Sequence, residues 1–260
     1  MLYNVNGHIL YDSFTADMEL DYAFDTTSNA NYSVVRVFKT KRDGTHQYPF
    51  VRYPGRMKTA DFAASEKWPL ISNAGLGVSA AQPIDGIAIE NGVVIYNHPA
   101  SYHLNAVPLT IDSNGDLGVA AADADADTLV ANGIVSATCG FCPIIIDYEP
   151  VQTFAPVDIN GGGNHFNTNN PRSIIGQFGN GDYALIGCAG RNLENSDGWT
   201  LAEAQVICQK LGLKFAYNLD GGNSTSLYLD QHPVYDYQPG TTRIIPSFIV
   251  FNGTTEFEIP

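Results

Sequence analysis

The chain has 260 residues, 44% of them hydrophobic and 11% aromatic, which argues against a disordered protein and leaves room for one large domain or two small ones. The net charge is −14 and no Lys or Arg occurs between Lys67 and Arg172, so nucleic-acid binding is not expected. No apolar run is long enough for a membrane span, and the first residues lack the pattern of a secretory signal. We expect a protein that acts where it is made, is exported by another route, or is carried on a virion.

Strands dominate the predicted secondary structure. Alternating apolar and polar residues predict strands over 18–24 and 32–38, followed by a polar hairpin turn over 39–44. Further strands are predicted over 68–72, 86–90, 93–96, 109–112, 117–120, 144–147, 172–178, 183–189, 215–219 and 243–251. Helices are predicted over 58–67, from the acidic run 121–127 onward, and over 200–211.

These elements predict an α+β fold, in which β-rich mixed sheets pack with a few helices. Residues 1–56 are predicted to be a β-rich N-terminal extension and residues 57–260 the main domain, either as two units or as one continuous domain. The best-defined helix is the last one, because Thr200 and Glu203 match a capping box and Gly212 supplies a C-terminal stop. Its buried stripe is predicted to contain Leu201, Ala204, Cys208 and Leu211.

Four cysteines are too few for a disulfide framework at this length. Cys139-Gly-Phe-Cys142 is a CxxC sequence, but a redox CxxC normally opens a helix, and here Pro143 leads into a predicted strand. A zinc site would need a second Cys or His pair at matching spacing, and none is present. We therefore interpret the cysteines as small buried residues.

The acidic segment before residue 124 has a faint likeness to a calcium loop. Its oxygen-bearing residues are Asp112, Asn114, Asp116 and Asp123. However, Leu117 occupies the position that requires glycine, and the last ligand is Asp rather than Glu. We interpret the segment as a turn followed by a solvated helix start, and no metal or cofactor is expected.

The richest cluster of polar residues follows the predicted strand 215–219. It reads Asn218-Leu-Asp-Gly-Gly-Asn-Ser-Thr-Ser226, an acid followed by two glycines and several small hydroxyl and amide side chains. Paired glycines allow a sharp turn that exposes backbone N–H groups, and a carboxylate beside such donors suits a polar or anionic ligand. The alternative is a simple hairpin turn, because Asp-Gly is a common turn sequence.

Arginines are scarce enough for their positions to be informative. After Lys67 the basic residues are Arg172, Arg191, Lys210, Lys214 and Arg243. In so acidic a chain, isolated arginines can still form one local anion site, because guanidinium groups bind phosphate in a bidentate manner. The alternative is that each arginine pairs with an acid on the surface. A glycine-rich loop over 161–170 carries His165 and leads directly into Arg172.

Several motifs occur in the order of one known family. Asn170-Pro-Arg-Ser-Ile-Ile-Gly176 resembles a Pro-Arg-Thr-x-x-Gly strand start, and Ala189-Gly-Arg191 resembles an Asp-Gly-Arg strand end. Gly198-Trp-Thr-Leu-Ala-Glu-Ala204 followed by Tyr217-Asn-Leu-Asp-Gly-Gly-Asn-Ser-Thr225 resembles a helix and an Asn-Leu-Asp-Gly-Gly-Gly-Ser-Ser/Thr loop. Together they resemble the phosphodiester glycosidase family, over roughly residues 70–252. The low charge content and the N-terminal extension are similar to phage-type members.

The sequence departs from the family pattern at a few positions. Asn223 stands in place of the third glycine of the loop, and Ala189 in place of an acid before Gly-Arg. Ile71-Ser-Asn-Ala-Gly75 is similar to the family's Asn-Gly-Gly segment, with Ala74 and Leu76 in place of a glycine and an aromatic residue.

The resemblance implies a hydrolase that cleaves the glycosidic bond between a sugar and a phosphodiester. It implies Asp220 as nucleophile or base, and Arg172, with Arg191 as second choice, as the group that binds phosphate. Asn73 is expected to close the pocket, and His165 is a candidate for proton transfer. The residues expected to orient substrate oxygens are Asn218, Gly221, Gly222, Ser224 and Thr225.

Each role has a structural alternative. Asn218 is able to cap a turn, and Arg191 is able to pair with Glu194. A rival function is a non-catalytic module of a phage virion that binds a glycan or teichoic acid in the same cleft. A third interpretation, a redox protein that uses Cys139 and Cys142, predicts lost activity in Cys142→Ser, which we do not expect.

Overall fold

A computed structural model gives the structure of residues 2–5, 8–11, 17–41, 43–78, 84–100, 103–104, 106–154, 158–159, 165–193, 195–234 and 243–251. The strands are β1 Leu2–Val5, β2 His8–Tyr11, β3 Met18–Asp25, β4 Ala30–Val37, β5 Pro49–Arg52, β6 Leu70–Asn73, β7 Ala88–Glu90, β8 Val93–Tyr96, β9 His103–Leu104, β10 Pro108–Asp112, β11 Leu117–Val119, β12 Ile134–Cys139, β13 Cys142–Ile146, β14 Glu149–Pro150, β15 Asp158–Ile159, β16 Arg172–Phe178, β17 Tyr183–Cys188, β18 Leu213–Asn218, β19 Leu227–Leu229, β20 His232–Pro233 and β21 Phe248–Phe251. The helices are α1 Thr59–Glu66, α2 Ala126–Ala131 and α3 Leu201–Lys210, and Gly222–Ser224 forms a single 3₁₀ turn.

Three larger antiparallel sheets carry the described part of the fold. The central sheet has seven strands in the order β14-β13-β18-β16-β17-β4-β3. The first side sheet has the order β11-β10-β12-β7-β8, and the second side sheet has the order β20-β19-β6-β21-β5. Two short pairs, β1-β2 and β9-β15, complete the described strands. The prediction of a β-rich α+β fold is confirmed.

The main core lies between the central sheet and the two side sheets. It contains Tyr183 and Leu185 of the central sheet, Leu109 of the first side sheet and Ile249 of the second. The other face of the central sheet packs against α3 and the buried ring of Trp199. Strands β16, β17 and β18 are therefore buried on both faces, which accounts for their nearly unbroken apolar sequences.

Each helix covers part of a sheet. Phe62 of α1 stacks on Phe248 of β21 with ring centroids 4.1 Å apart, and α2 packs on β7 and β12. The capping box of α3 is confirmed, since the Glu203 carboxylate accepts the backbone N–H of Thr200 at 2.8 Å. The predicted stripe of α3 needs one correction: Ile207 is buried, while Leu211, the C-cap residue, is only half-buried.

The predicted last strand, 243–251, is shorter than expected. Strand β21 begins only at Phe248, and Arg243 and Ile244 are exposed. Pro246 explains the difference, because it has no N–H to donate to a neighbouring strand. Ile245 makes only an isolated bridge to Met57.

The N-terminal residues supply strands to two sheets. In the central sheet, β4 pairs with β17 through Val35 and Leu185, while β5 pairs with β21 in the second side sheet through Val51 and Ile249. The polar segment 39–44 forms a turn between these strands, with residue 42 outside the described residues. The predicted domain division at residue 56 is untested and stays a prediction.

The CxxC sequence joins two strands of different sheets. Cys139 ends β12 and Cys142 begins β13, and both thiols are free and buried. Burial raises the pKa of each to about 12, so both stay protonated at neutral pH. The interpretation of these cysteines as small buried residues is confirmed.

The acidic segment after β10 is a tight turn. One carboxylate oxygen of Asp112 accepts the backbone N–H groups of Asn114 and Asp116, both at 2.8 Å. Among the described residues, no three His, Cys, Asp or Glu side chains are grouped as metal ligands. None of the described helices has the length and apolar character to cross a bilayer.

Candidate active site

The Asp220 loop, residues 219–226, connects the central sheet to the second side sheet. It leaves β18, which pairs with β13 and β16, and enters β19, which pairs with β6 and β20. The loop is therefore not a hairpin turn. The backbone N–H of Leu219 donates to Ser173 at 2.8 Å and that of Asp220 donates to Ala74 at 3.0 Å. These hydrogen bonds hold Asp220 at the junction between the central sheet and the second side sheet.

The two glycines after Asp220 are required by close contacts. A Cβ atom at Gly221 would lie 2.9 Å from the carbonyl oxygen of Pro171. Gly222 has φ +58°, and a Cβ there would lie 2.8 Å from a guanidinium nitrogen of Arg191. Gly222 is thus the residue of this loop with a left-handed backbone. Asn223, which replaces a family glycine, does not have a positive φ. The glycine pair brings the backbone next to an arginine.

Asn73, the last residue of β6, holds the Asp220 loop from the second side sheet. Its amide nitrogen donates to the carbonyl oxygen of Asp220 at 2.6 Å, and its amide oxygen accepts the N–H of Ser226 at 2.9 Å. Its side chain is fully buried and is not part of the cleft wall. Asn73 therefore positions the loop that carries the acid.

Replacing Asn73 with alanine is expected to lower the free energy of unfolding by about 3 kcal/mol, because two buried backbone groups lose their partner. Urea denaturation measures this change. The exposed Asn132 provides a matched control, and Asn132→Ala should stay within about 0.5 kcal/mol of the wild type. Equal stabilities of the two variants would contradict the role of Asn73.

Arg172 begins β16 and is almost completely buried. Its guanidinium donates to three carbonyl oxygens, of Trp199 at 2.8 Å, His165 at 2.6 Å and Thr168 at 3.1 Å. Burial lowers its pKa to about 10, which still leaves it charged at neutral pH. Within the described part of the chain no carboxylate pairs with it, so a buried positive charge lies at the cleft without a counter-ion.

Arg191 follows β17 in a left-handed conformation, with φ 60°. Its guanidinium contacts the side-chain oxygen of Asn170 at 2.9 and 3.1 Å and that of Asn223. The replacement of a family glycine by Asn223 thus supplies an acceptor that holds this arginine. The alternative pairing with Glu194 lies outside the described residues.

These elements surround one cleft of about 300 Å³. It is lined by Leu76, Gly77, Val78, His103, Phe141, His165, Asn170, Arg172, Arg191, Asp220, Gly221, Gly222, Asn223 and Arg243. All three arginines of the C-terminal half line this single cleft, as the anion-site interpretation expected. Asp220 is the only acidic residue of the described lining, so the cleft carries an excess of positive charge within an acidic protein.

Burial raises the pKa of the Asp220 carboxyl group above its usual value of 3.8. The adjacent Ser224 hydroxyl, the positive charge of Arg243 and the charge of His103 when it is protonated oppose this rise. The carboxyl group therefore combines a proton affinity higher than usual with cationic neighbours. Such a group suits a catalytic carboxylate, whose proton must come on or off during reaction.

His165 lies in the turn before β16 and lines the cleft. Burial and the charges of Arg172 and Arg191 lower the pKa of its imidazole, so it is neutral at pH 7. Residues 161–164 of the glycine-rich loop lie outside the described residues.

The remaining predicted site residues lie beneath the cleft wall. Asn218 donates to the carbonyl oxygen of Leu219 at 2.9 Å, which supports a role in shaping the turn. Ser224 and Thr225 are buried in and just after the 3₁₀ turn. The amide oxygen of Asn218 and the hydroxyl of Thr225 have no hydrogen-bond partner among the described residues. Neither atom is part of the cleft lining.

Two ionisable residues of the cleft lining, Arg243 and His103, were not assigned a site role from the sequence. Arg243 was counted among the scarce arginines, and its position in an interrupted strand is what leaves it exposed at the cleft. His103 carries no local motif, and it reaches the cleft through the short strand β9.

Comparison with protein families identifies the family of the chain. A model of the phosphodiester glycosidase family matches residues 70–252, from the start of β6 to the residue after β21. The chain belongs to the phosphodiester glycosidase family. The family predicted from the Asp220, Arg172 and Arg191 motifs is therefore confirmed. No curated protein sequence matches the chain.

Solved structures share the phosphodiester glycosidase fold of this chain. The catalytic domain of zebrafish N-acetylglucosamine-1-phosphodiester α-N-acetylglucosaminidase, auto-inhibited by its pro-peptide, matches with TM-score 0.70 and 16% identity over 92% of this chain and 83% of that one. A hypothetical protein from Synechocystis matches with TM-score 0.69 and 14% identity over 90% and 61%. A putative exported protein from Burkholderia pseudomallei matches with TM-score 0.57 and 10% identity over 86% and 74%. At these identities the matches show a common fold.

Proposed function

We propose that the protein hydrolyses sugar-1-phosphodiesters by cleaving the bond between the anomeric carbon and the phosphate oxygen. The observation that carries this proposal is a cleft whose described lining contains one carboxyl group, that of Asp220, and three arginines. Among the described residues none of these arginines forms an ion pair, so the cleft suits a substrate that brings its own negative charge. A phosphodiester carries such a charge at any physiological pH.

The reaction explains why one carboxylate is enough. Ordinary glycosidases use two carboxyl groups, one of which protonates the leaving oxygen. A phosphate leaves without that help, because its negative charge is spread over several oxygens. Arg172, Arg191 and Arg243 stabilise the charge that develops on it, and they are already in place before the reaction. Asp220 acts at the anomeric carbon, as nucleophile or base.

The charged and apolar parts of the cleft lining suggest an orientation for the substrate. The arginines lie on the phosphate side, where an anion is favoured. The glycine pair was expected to expose its N–H groups, but the N–H of Gly222 donates to the carbonyl oxygen of Pro171 at 2.9 Å and is not available to a phosphate. Leu76, Val78 and Phe141 provide apolar surface for a sugar ring. The substrates proposed are free sugar-1-phosphodiesters or cell-surface polymers with the same linkage, such as teichoic-acid-like chains.

Hydrolysis in ¹⁸O-labelled water tests the proposal. The first probe is the methyl phosphodiester of α-N-acetylglucosamine-1-phosphate, chosen because the zebrafish enzyme is named for this sugar. Cleavage of the glycosidic bond places the label in the released sugar, and mass spectrometry detects it there. Label in the phosphate product would instead show a phosphodiesterase and contradict the proposal.

The rival function is a glycan-binding module, on a phage virion or elsewhere. It is distinguished by calorimetry with the same phosphodiester and with polymeric teichoic acid. Binding without release of sugar from any of these substrates would favour the binding module. Release of labelled sugar excludes it.

A further inference from the structure

His103 and Asp85 form a buried pair at the cleft. The ring Nδ1 of His103 lies 2.7 Å from a carboxylate oxygen of Asp85, and the backbone N–H of His103 donates to the same oxygen at 2.8 Å. Only 5% of His103 and 1% of Asp85 are exposed to solvent, yet His103 lines the cleft that contains Asp220. A buried acid is costly unless it is paired, so this contact is a specific one.

The segment around Asp85 is held firmly. Its backbone N–H donates to Leu76 at 3.2 Å, and the N–H of Leu76 donates to Cys139 at 2.8 Å. Gly86 has φ +90°, and a Cβ there would lie 2.6 Å from the Cβ of Cys139. The carboxylate is therefore anchored through a cleft residue to the end of β12, and it fixes the orientation of the His103 ring.

The contact also determines the state of the ring. An ionised carboxylate only accepts hydrogen bonds, so Nδ1 carries the proton and the lone pair of a neutral ring is on Nε2. An imidazole held in one tautomer by a buried acid is the arrangement of a general base. His165 lacks this support, since no carboxylate pairs with it among the described residues.

We infer that His103, oriented by Asp85, is the general base that activates the attacking water, an inference that rests on the proposed function. As the water oxygen bonds to the anomeric carbon, its proton passes to Nε2 of His103. The bond from the anomeric carbon to the phosphate oxygen breaks, and its electron pair leaves with the phosphate. Asp220 is then free to stabilise the positive charge that develops on the sugar during this displacement.

Charged neighbours link His103 to the rest of the cleft. When it is protonated, His103 lowers the pKa values of both Asp220 and His165, so the three groups interact electrostatically. The Asp85 carboxylate raises the pKa of the buried Cys139 thiol, so it is a negative charge next to the ring. The ring of His103 thus pairs with Asp85 and lies on the same cleft as Asp220 and His165.

Chemical rescue tests the inference. His103→Ala should lower kcat for the methyl phosphodiester about a hundredfold, and added imidazole should restore part of it in proportion to its concentration. His103→Asn keeps an N–H donor for Asp85 but lacks a base, so it should fold and show the same loss. The exposed His98 is the matched control, and His98→Ala should keep full kcat with no effect of imidazole.

Asp85→Asn provides an independent measurement. An asparagine amide is able to donate to Nδ1, which would move the ring proton to Nε2, and NMR of ¹⁵N-labelled histidine detects that change of tautomer without turnover. We expect the tautomer to change and kcat to fall at least tenfold.

The outcomes separate the two proposals. If the wild type releases sugar and folded His103→Asn keeps full kcat, the base assignment is wrong and the proposed function stands. If imidazole fails to rescue folded His103→Ala, the base assignment is also wrong. If the wild type releases no sugar from any phosphodiester, both are overturned.

Discussion

Replacing Asp220 with asparagine is expected to abolish sugar release, with a loss in kcat of at least about 10³-fold. An amide neither attacks nor stabilises the anomeric carbon as a carboxylate does. The side chain keeps its size, and the loop stays held through backbone groups, by Asn73 and Ala74. Steady-state kinetics with the methyl phosphodiester measures the loss. The exposed Asp123 supplies the control, since Asp123→Asn should retain full activity.

The same variant has a predictable effect on stability. Because burial raises the pKa of Asp220, the folded protein holds the proton more tightly than the unfolded chain does. The contribution of Asp220 to stability is therefore fully present below pH 3.8 and is lost as the pH rises through the folded pKa. At pH 7 the Tm of Asp220→Asn should equal or exceed that of the wild type, and any advantage should shrink on acidification.

The acid limb of kcat/KM should report the groups that must lose a proton before the reaction, which are Asp220 and the proposed base His103. A phosphodiester does not titrate in this range, so the limb should fall at a pH above 3.8 in the wild type. Full activity of Asp220→Asn would end the assignment of this residue. A lower Tm of the variant at pH 7 would show that the ionised carboxylate stabilises the fold, against our expectation.

Replacing Arg172 with methionine is expected to lower kcat/KM for the phosphodiester about 10²- to 10³-fold, the usual effect of removing a preorganised charge from a transition state. The loss should be much smaller for an aryl glycoside with an uncharged leaving group, because the arginine acts on phosphate. Arg172→Lys keeps the charge but not the planar fork, so it should recover only part of the activity. Kinetics with the two substrates gives the ratio directly.

Stability must be measured beside activity for this residue. Arg172→Met leaves the carbonyl oxygens of Trp199, His165 and Thr168 without their donor, which should cost about 2 kcal/mol or more. Assays are therefore run at a temperature at which circular dichroism shows the variant to be folded. The exposed Arg56 is the control, with no expected effect of Arg56→Met on either quantity. Equal losses on both substrates would contradict a phosphate-specific role.

Local sequence patterns predicted the parts of this structure that depend on local physics. The capping box at Thr200 and the turn at Asp112 were predicted correctly, because the groups that form them lie a few residues apart. The Asp220 loop was recognised from residue types that favour sharp turns and anion binding. The scarce arginines of the C-terminal half were interpreted as candidates for one anion site, and all three line the cleft, but their binding of an anion stays a prediction.

The remaining features depend on contacts between distant parts of the chain. Nothing near His103 indicates that Asp85 will meet its ring, because the two meet only after β9 and the segment before β7 have folded together. Asn73 was expected to close the pocket. Its amide instead binds the backbone of Asp220 and Ser226, which lie 147 and 153 positions further along the chain. Periodicity predicted that the last strand begins at Arg243, but Pro246 delays it to Phe248.

The first strands of the chain have a consequence for fragments of the protein. Strand β4 covers the edge of β17, and β5 covers the edge of β21. A truncated chain that begins at residue 57 would present two rows of unsatisfied backbone groups, which is the usual template for intermolecular β-sheet aggregation. The family-matched segment expressed alone should therefore be less soluble than the whole chain. A soluble shorter chain has to retain the residues from β3 onward.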